Sequence, residues 1–387
     1  MNNNLFNPRS GLRAAFGKQF CMVLAIALTV VSNLQAQEFG TMSWGPSQPY
    51  DVGFNPSVAA SGSYIVEVHN GQNGPGPMWY HAGQYSFNFP SNPSITWEPY
   101  EQYDWGYNPS VAGCPLMNTV VEVHNGQGEP GPMWYHLGVS GAYGVSWGPP
   151  MEYDEGWNPK VAIVCDAPLG YLVIEVHNGM FSSGEPDPMT MYYHVGVINP
   201  SGPDVNSWTI TWGPAYSYDV GWDPSVAAVG LTVVEVHNNA SATPGSLWYH
   251  VGTINSNLTV TWGPPYSYDV GWEPKVALTV IEHGSQPPSL PLVFEAHNGM
   301  PGSFGPMWYH LGQVGQEVPA SQINWGPAVE YDEGWNPSIA WLWMFTNSED
   351  YYLGGVEVHN GQQGFGTMWS HGDLWVPPGG FTVTGSE

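Results

Sequence analysis

Twelve of the 13 histidines stand at two recurring positions. The first closes the phrase Val66-Glu67-Val68-His69-Asn70-Gly71 and returns at His124, His177, His237, His297 and His359, each two residues after a glutamate. The second closes Met78-Trp79-Tyr80-His81 and returns at His136, His194, His250, His310 and His371. Imidazole beside carboxylate suits metal ligation, proton transfer or a buried hydrogen-bond network. A catalytic site is normally one asymmetric constellation, whereas these groups recur, and no zinc-type cysteine cluster accompanies them. Buried Glu and His must be paired. The expectation is a structural Glu-His-Trp-Asp network in each repeat, with metal ligation through Glu-x-His as the competing reading and the metal itself unspecified.

A third recurring phrase places aromatic rings beside polar groups. It runs Tyr50-Asp51-Val52-Gly53-Phe54-Asn55-Pro56 and ends elsewhere in Tyr107-Asn108, Trp157-Asn158, Trp222-Asp223, Trp272-Glu273 and Trp335-Asn336, each followed by proline. Asp bonds nearby amides and Gly tolerates positive φ, so the phrase reads as a turn. Its ring could cover the apolar face of a pyranose while the amide or carboxylate bonds hydroxyls, or it could plug a gap between units. The candidate ligand-binding residues are therefore Phe54, Tyr107, Trp157, Trp222, Trp272 and Trp335 with Asn55, Asn108, Asn158, Asp223, Glu273 and Asn336.

These phrases belong to a sixfold repeat. Glutamates 67, 122, 175, 235, 295 and 357 are spaced by 55, 53, 60, 60 and 62 residues, a period that signals an array or a propeller. Alternation in Val-Glu-Val-His is that of a strand. Four strands are read per repeat: one around Pro56–Ala60, the Val-Glu-Val-His strand, the Trp-Tyr-His strand, and one ending at Trp44, Trp97, Trp147, Trp212, Trp262 or Trp325. The predicted fold is all-β: a six-bladed β-propeller of four-stranded blades, its ring closed by the N-terminal strand at Trp44. Segments 200–206 and 284–291 read as loops, and Trp341–Phe345 as a buried strand.

Residues 1–36 read as a signal peptide, with Arg9, Arg13 and Lys18 before the apolar run Phe20–Val31, which is too short to span a membrane. Residues 37–376 form the predicted propeller and 377–387 a tail. Past Ala36 the chain keeps Lys160 and Lys275, no Arg, and all 32 acidic residues, a formal charge of 2 − 32 = −30. Nucleic acid and anionic membranes are poor partners for such a chain, and cations, Ca²⁺ among them, are natural ones. No cofactor is otherwise expected. Export implies an oxidising compartment, where Cys114 and Cys165 either bridge adjacent repeats or stay as buried thiols.

The strings Tyr-Asp-x-Gly-x-x-Pro-Ser-Val-Ala, Val-Val-Glu-Val-His, Leu-Trp-Tyr-His-Val-Gly and Trp-Gly resemble a repeat of secreted bacterial proteins that sometimes accompanies phospholipase or lectin-type modules. The resemblance covers nearly all of residues 40–376 and implies the propeller fold. Ser217-Tyr218-Asp219-Val220-Gly221 partly resembles the Asp-box turn of sialidases. The arginines used by sialidases and by fucose-binding propeller lectins have no counterpart here. The leading expectation is a secreted, monomeric, non-enzymatic lectin-like propeller binding glycans or cell-surface polysaccharide at repeated sites. The alternatives are a hydrolase with one axial site, drawing on the non-repeated Glu282, His283, Glu349 and Asp350, and a Ca²⁺-binding adhesive protein.

Overall fold

The computed structural model describes residues 39–378, apart from 88–90, 115–117, 127–129, 166, 168–169, 181–185, 241–244, 281–289, 300–303, 316–321, 346–350 and 363–364. The chain is all-β: among the described residues there is one short 3₁₀ turn, at Val205–Ser207, and the paired strands are antiparallel. The segment 1–36, the end of the tail, and Glu282, His283, Glu349 and Asp350 lie outside the described residues.

One repeat shows how the strands form. In Thr119–Asn125 the valines and the Glu and His side chains alternate across the strand, and every residue is buried. It pairs with Gly131–Gly141, setting Glu122 opposite His136 and His124 opposite Trp134. The short strand Gly144–Trp147 adds the outer edge, with Trp147 opposite Gly138. On the other side the inner strand Glu101–Cys114 pairs through Val111 opposite Glu122. A strand buried on both faces of the sheet matches the propeller type of packing.

The Tyr-Asp-x-Gly phrase is not a turn. It is the middle of one 14-residue strand, Met151–Val164 in the third repeat. The first half, Met151–Gly156, pairs with Gly131–Tyr135 of one repeat, and the second half, Trp157–Val164, with Leu172–Asn178 of the next. A bulge between Trp157 and Lys160 marks the crossing. The same crossing recurs at Gln48–Ser61, whose halves pair with Gly366–Ser370 and Tyr64–Asn70. The strand Thr41–Trp44 pairs with Asp373–Val376 beside it.

Positive φ falls on Asn55, Asn108, Asn158, Asp223, Glu273 and Asn336, at 50–55°, and not on the glycine of the phrase. Those glycines are needed for a different reason. A Cβ on Gly106 would stand 2.5 Å from His124 Cδ2 and 2.6 Å from the Asn125 carbonyl, and its five counterparts meet a histidine in the same way. The missing side chain lets the crossing strand lie against the next repeat's histidine.

Neighbouring repeats are tied further by the asparagine after that histidine. Asn125 donates through Nδ2 to the Gly156 carbonyl at 3.0 Å and accepts the Asn158 amide through Oδ1 at 3.0 Å. Cys114 and Cys165 form a disulfide between adjacent repeats. Trp341, Leu342 and Met344 are buried, as the apolar run predicts. Among the described residues no helix is long and apolar enough to cross a membrane.

Candidate functional site

Two places gather polar side chains, and the strand crossing builds both. The first recurs in every repeat. Asp104 and Tyr103 sit on a crossing strand and reach into the following repeat. Asp104 Oδ2 stands 2.7 Å from His136 Nε2 and 3.6 Å from His124 Nε2. His124 Nδ1 faces Glu122 Oε2 at 3.0 Å, and His136 Nδ1 donates to the Gly148 carbonyl at 2.8 Å. Tyr103 donates to Glu122 Oε1 at 3.1 Å and stacks on Trp147. Glu122 is wholly buried and both histidines nearly so.

The network therefore joins sheets rather than closing within one. Tryptophan is not a hydrogen-bonding member: Nε1 of Trp44, Trp147, Trp212, Trp262 and Trp325 has no partner among the described residues. Burial opposes protonation of His136, but its hydrogen bond to Asp104, with the charge on Glu122, wins and raises its pKa. Asp104 is lowered because His136, the Trp105 amide and both imidazoles outweigh its desolvation. Burial, then the charge on Glu122, pushes Tyr103 well above the usual phenol range.

The second place is single. The bulged starts of six inner strands surround one cavity of about 250 Å³. Each contributes the left-handed residue after the aromatic, so the six polar candidates meet in one ring. Asn336 Nδ2 donates to Asn55 Oδ1 at 2.7 Å, Asn55 Nδ2 to Asn108 Oδ1 at 2.6 Å, and Asn158 Nδ2 to Asp223 Oδ1 at 3.1 Å. The aromatics pack on one another: Phe54 lies 5.3 Å from Trp335 and 6.4 Å from Tyr107 between ring centres, and Trp157 lies 6.2 Å from Trp222. Phe54, Tyr107, Trp157 and Trp335 also line the cavity, whereas Trp222 and Trp272 are not among its lining residues.

The ring is asymmetric in charge. Four of its six positions are Asn, against Asp223 and Glu273. Two residues further on, four are Ser, against Lys160 and Lys275. Lys160 Nζ donates to Asn158 Oδ1 at 2.5 Å and to the Pro159 carbonyl at 3.2 Å. Glu273 Oε2 accepts from Asn298 Nδ2 at 2.9 Å. Glu273 is half-buried against the cavity, and desolvation, then the charge of Asp223, pushes its pKa up to about 8 against the pull of Lys275 and Lys160. Desolvation also lowers Lys275.

The two lysines were not among the sequence candidates. The signal was present, since both replace the Ser that follows Pro in the other four repeats, but nothing in one repeat says that this position faces a shared cavity.

No family model matches the chain, and no curated protein does. Among solved structures, the hemagglutinin-neuraminidase of parainfluenza virus 5 is 9% identical, covering 87% of this chain and 96% of that one at a TM-score of 0.48. A Penicillium chrysogenum α-L-arabinanase complexed with arabinobiose is 11% identical, covering 84% and 98% at 0.41. A Fusarium graminearum α-L-arabinofuranosidase is 9% identical, covering 86% and 97% at 0.42.

The expectation of a non-enzymatic lectin with repeated sites is corrected by the arrangement of these residues. The six polar candidates share one cavity instead of forming six separate platforms.

Proposed function

We propose that the chain is an exported, monomeric hydrolase cleaving a glycosidic bond at one axial site, within a six-bladed propeller whose ring is completed by Thr41–Trp44. The observation that carries this reading is the pair Glu273 and Asp223, which line one cavity where the other four repeats place Asn, with the Glu273 pKa pushed up to about 8. Two carboxyl groups in unlike environments are what glycoside hydrolysis requires.

Glu273 donates its proton to the leaving glycosidic oxygen, which otherwise departs as a poor alkoxide. Asp223 faces the positive charge that develops at the anomeric carbon, stabilising it directly or drawing a proton from the attacking water. The ring of Asn amides and Ser hydroxyls supplies bonds to sugar hydroxyls, and Trp157 and Trp335 supply apolar faces. Sequential inner strands lie side by side from Gln48–Ser61 round to Val329–Phe345, which again neighbours Gln48–Ser61, and this supports closure.

A panel of aryl glycosides and plant and bacterial polysaccharides, followed by reducing-end release, tests the reading. Turnover by the native chain, lost by at least about 10²-fold in Glu273→Gln and Asp223→Asn, is expected. No hydrolysis of any glycoside, or full activity in both folded variants, overturns it.

A further inference from the structure

The six Asp-His-His clusters have a donor arrangement that a hydrogen-bonded clamp alone does not explain. In each, two imidazole Nε2 atoms and one carboxylate oxygen converge within 4.8 Å of one another. The second histidine's Nδ1 must be the protonated nitrogen, because it faces a backbone carbonyl at 2.8–2.9 Å in all six copies. The first histidine's Nδ1 faces a buried glutamate at 2.9–3.1 Å. In a neutral ring with Nδ1 protonated, Nε2 carries the lone pair. Carboxylate and carbonyl partners on Nδ1 are the groups that orient histidines which ligate metals.

Three acceptor atoms then meet with nothing between them. The second Nε2 lies 2.6–2.8 Å from the aspartate Oδ2 and the first lies 3.6–3.9 Å from it. A positive centre must sit there, either a proton or a cation. Each cluster also brings together two carboxylates, one wholly buried, and basic side chains cannot offset them. Among the described residues the only Lys or Arg are Lys160 and Lys275, and both line the axial cavity. A divalent cation neutralises two carboxylates where one proton does not.

We propose that each cluster is a divalent transition-metal site of the two-histidine, one-aspartate type, with Asp104, His124 and His136 as the ligands in the second repeat. Two imidazoles and one carboxylate suit zinc and its neighbours rather than Ca²⁺, which takes an all-oxygen shell. A tetrahedral ion about 2.0–2.2 Å from each donor holds its ligands roughly 3.3–3.5 Å apart. The two observed separations straddle that spacing, so a carboxylate movement of about half an ångström equalises them. The aspartate belongs to a crossing strand and the histidines to the next sheet, so each ion pins one repeat to its neighbour. The glycine two residues after each aspartate is what admits the first histidine's ring to this position.

The test uses untagged full chain, stripped with EDTA, dialysed at pH 7.5, reloaded with zinc and desalted. Elemental analysis is expected to return up to six zinc ions per chain, and the thermal midpoint should rise by several degrees over the stripped protein. Asp104→Asn should bind one ion fewer with an unchanged circular dichroism spectrum. If that variant misfolds, the native stoichiometry and the zinc-dependent midpoint still decide. Native protein that retains no zinc and melts alike with zinc and EDTA overturns the proposal and leaves the clusters as protonated clamps. Zinc retained undiminished by folded Asp104→Asn and His136→Gln variants overturns it equally. The outcome is independent of whether the axial cavity hydrolyses glycosides.

Discussion

Replacing Glu273 by Gln should stabilise the protein, and should do so increasingly as pH rises. The unfolded glutamate titrates near its ordinary 4.5, whereas the folded one is held at about 8. Between those values the native state keeps a proton that the unfolded chain has lost, so stability falls as pH climbs from about 4.5 and levels off above about 8. At 1.36 kcal/mol per pKa unit, the burial of this carboxyl costs about 3 kcal/mol at pH 7 and about 5 kcal/mol at pH 9. Gln keeps a carbonyl oxygen for Asn298 Nδ2 and has no charge to desolvate. For a domain of this size about 1 kcal/mol corresponds to roughly 1–2 °C. The variant should melt about 3–6 °C above the native chain at pH 7, and the gap should widen by a further 1–4 °C at pH 9. Differential scanning calorimetry of both proteins from pH 5 to 9.5 reads this directly, since other titrating groups cancel in the difference. A gap that is zero, negative or flat across that range would show that Glu273 is not a desolvated carboxyl. The proposed acid role would fall with it. Gain of stability with loss of turnover is the pattern expected of a group held at a strained pKa for chemistry.

Three other perturbations address the joints between repeats. Asn125→Ala leaves the Gly156 carbonyl and the Asn158 amide without their buried partner and should cost about 2–4 kcal/mol in urea unfolding. Gly106→Ala drives a methyl into His124 and the Asn125 carbonyl and should cost about 2–3 kcal/mol by overpacking, with loss of near-ultraviolet dichroism from the adjoining aromatics. Cys114 and Cys165 are 51 residues apart, and removing the bridge as Cys114→Ser should cost about 2–4 kcal/mol, read as a lower urea midpoint that reducing agent does not lower further.

Period and alternation by themselves determined the Val-Glu-Val-His and Trp-Tyr-His strands of this protein. Glu122 and His124 share a strand face because strand side chains alternate, and the apolar-Glu-apolar-His pattern that recurs in six copies reads as a strand. The same string could say that Glu and His are buried and paired, since a strand with valines on one side of a doubly covered sheet hides the other side too. It could not say that the partner Asp104 comes from the preceding repeat. That follows from a crossing strand which the Asp, Gly and Pro content made look like a turn. Local propensity favoured a loop there, and pairing to two different sheets overrode it. The candidate ring residues stand at equivalent positions of the repeat. Whether they stood apart or met was a matter of how the crossing strands pack around one cavity, which no single repeat encodes. Lys160, Asp223, Glu273 and Lys275 become one site only there, because a shared cavity strips water from side chains up to 115 residues apart and forces their charges to answer one another.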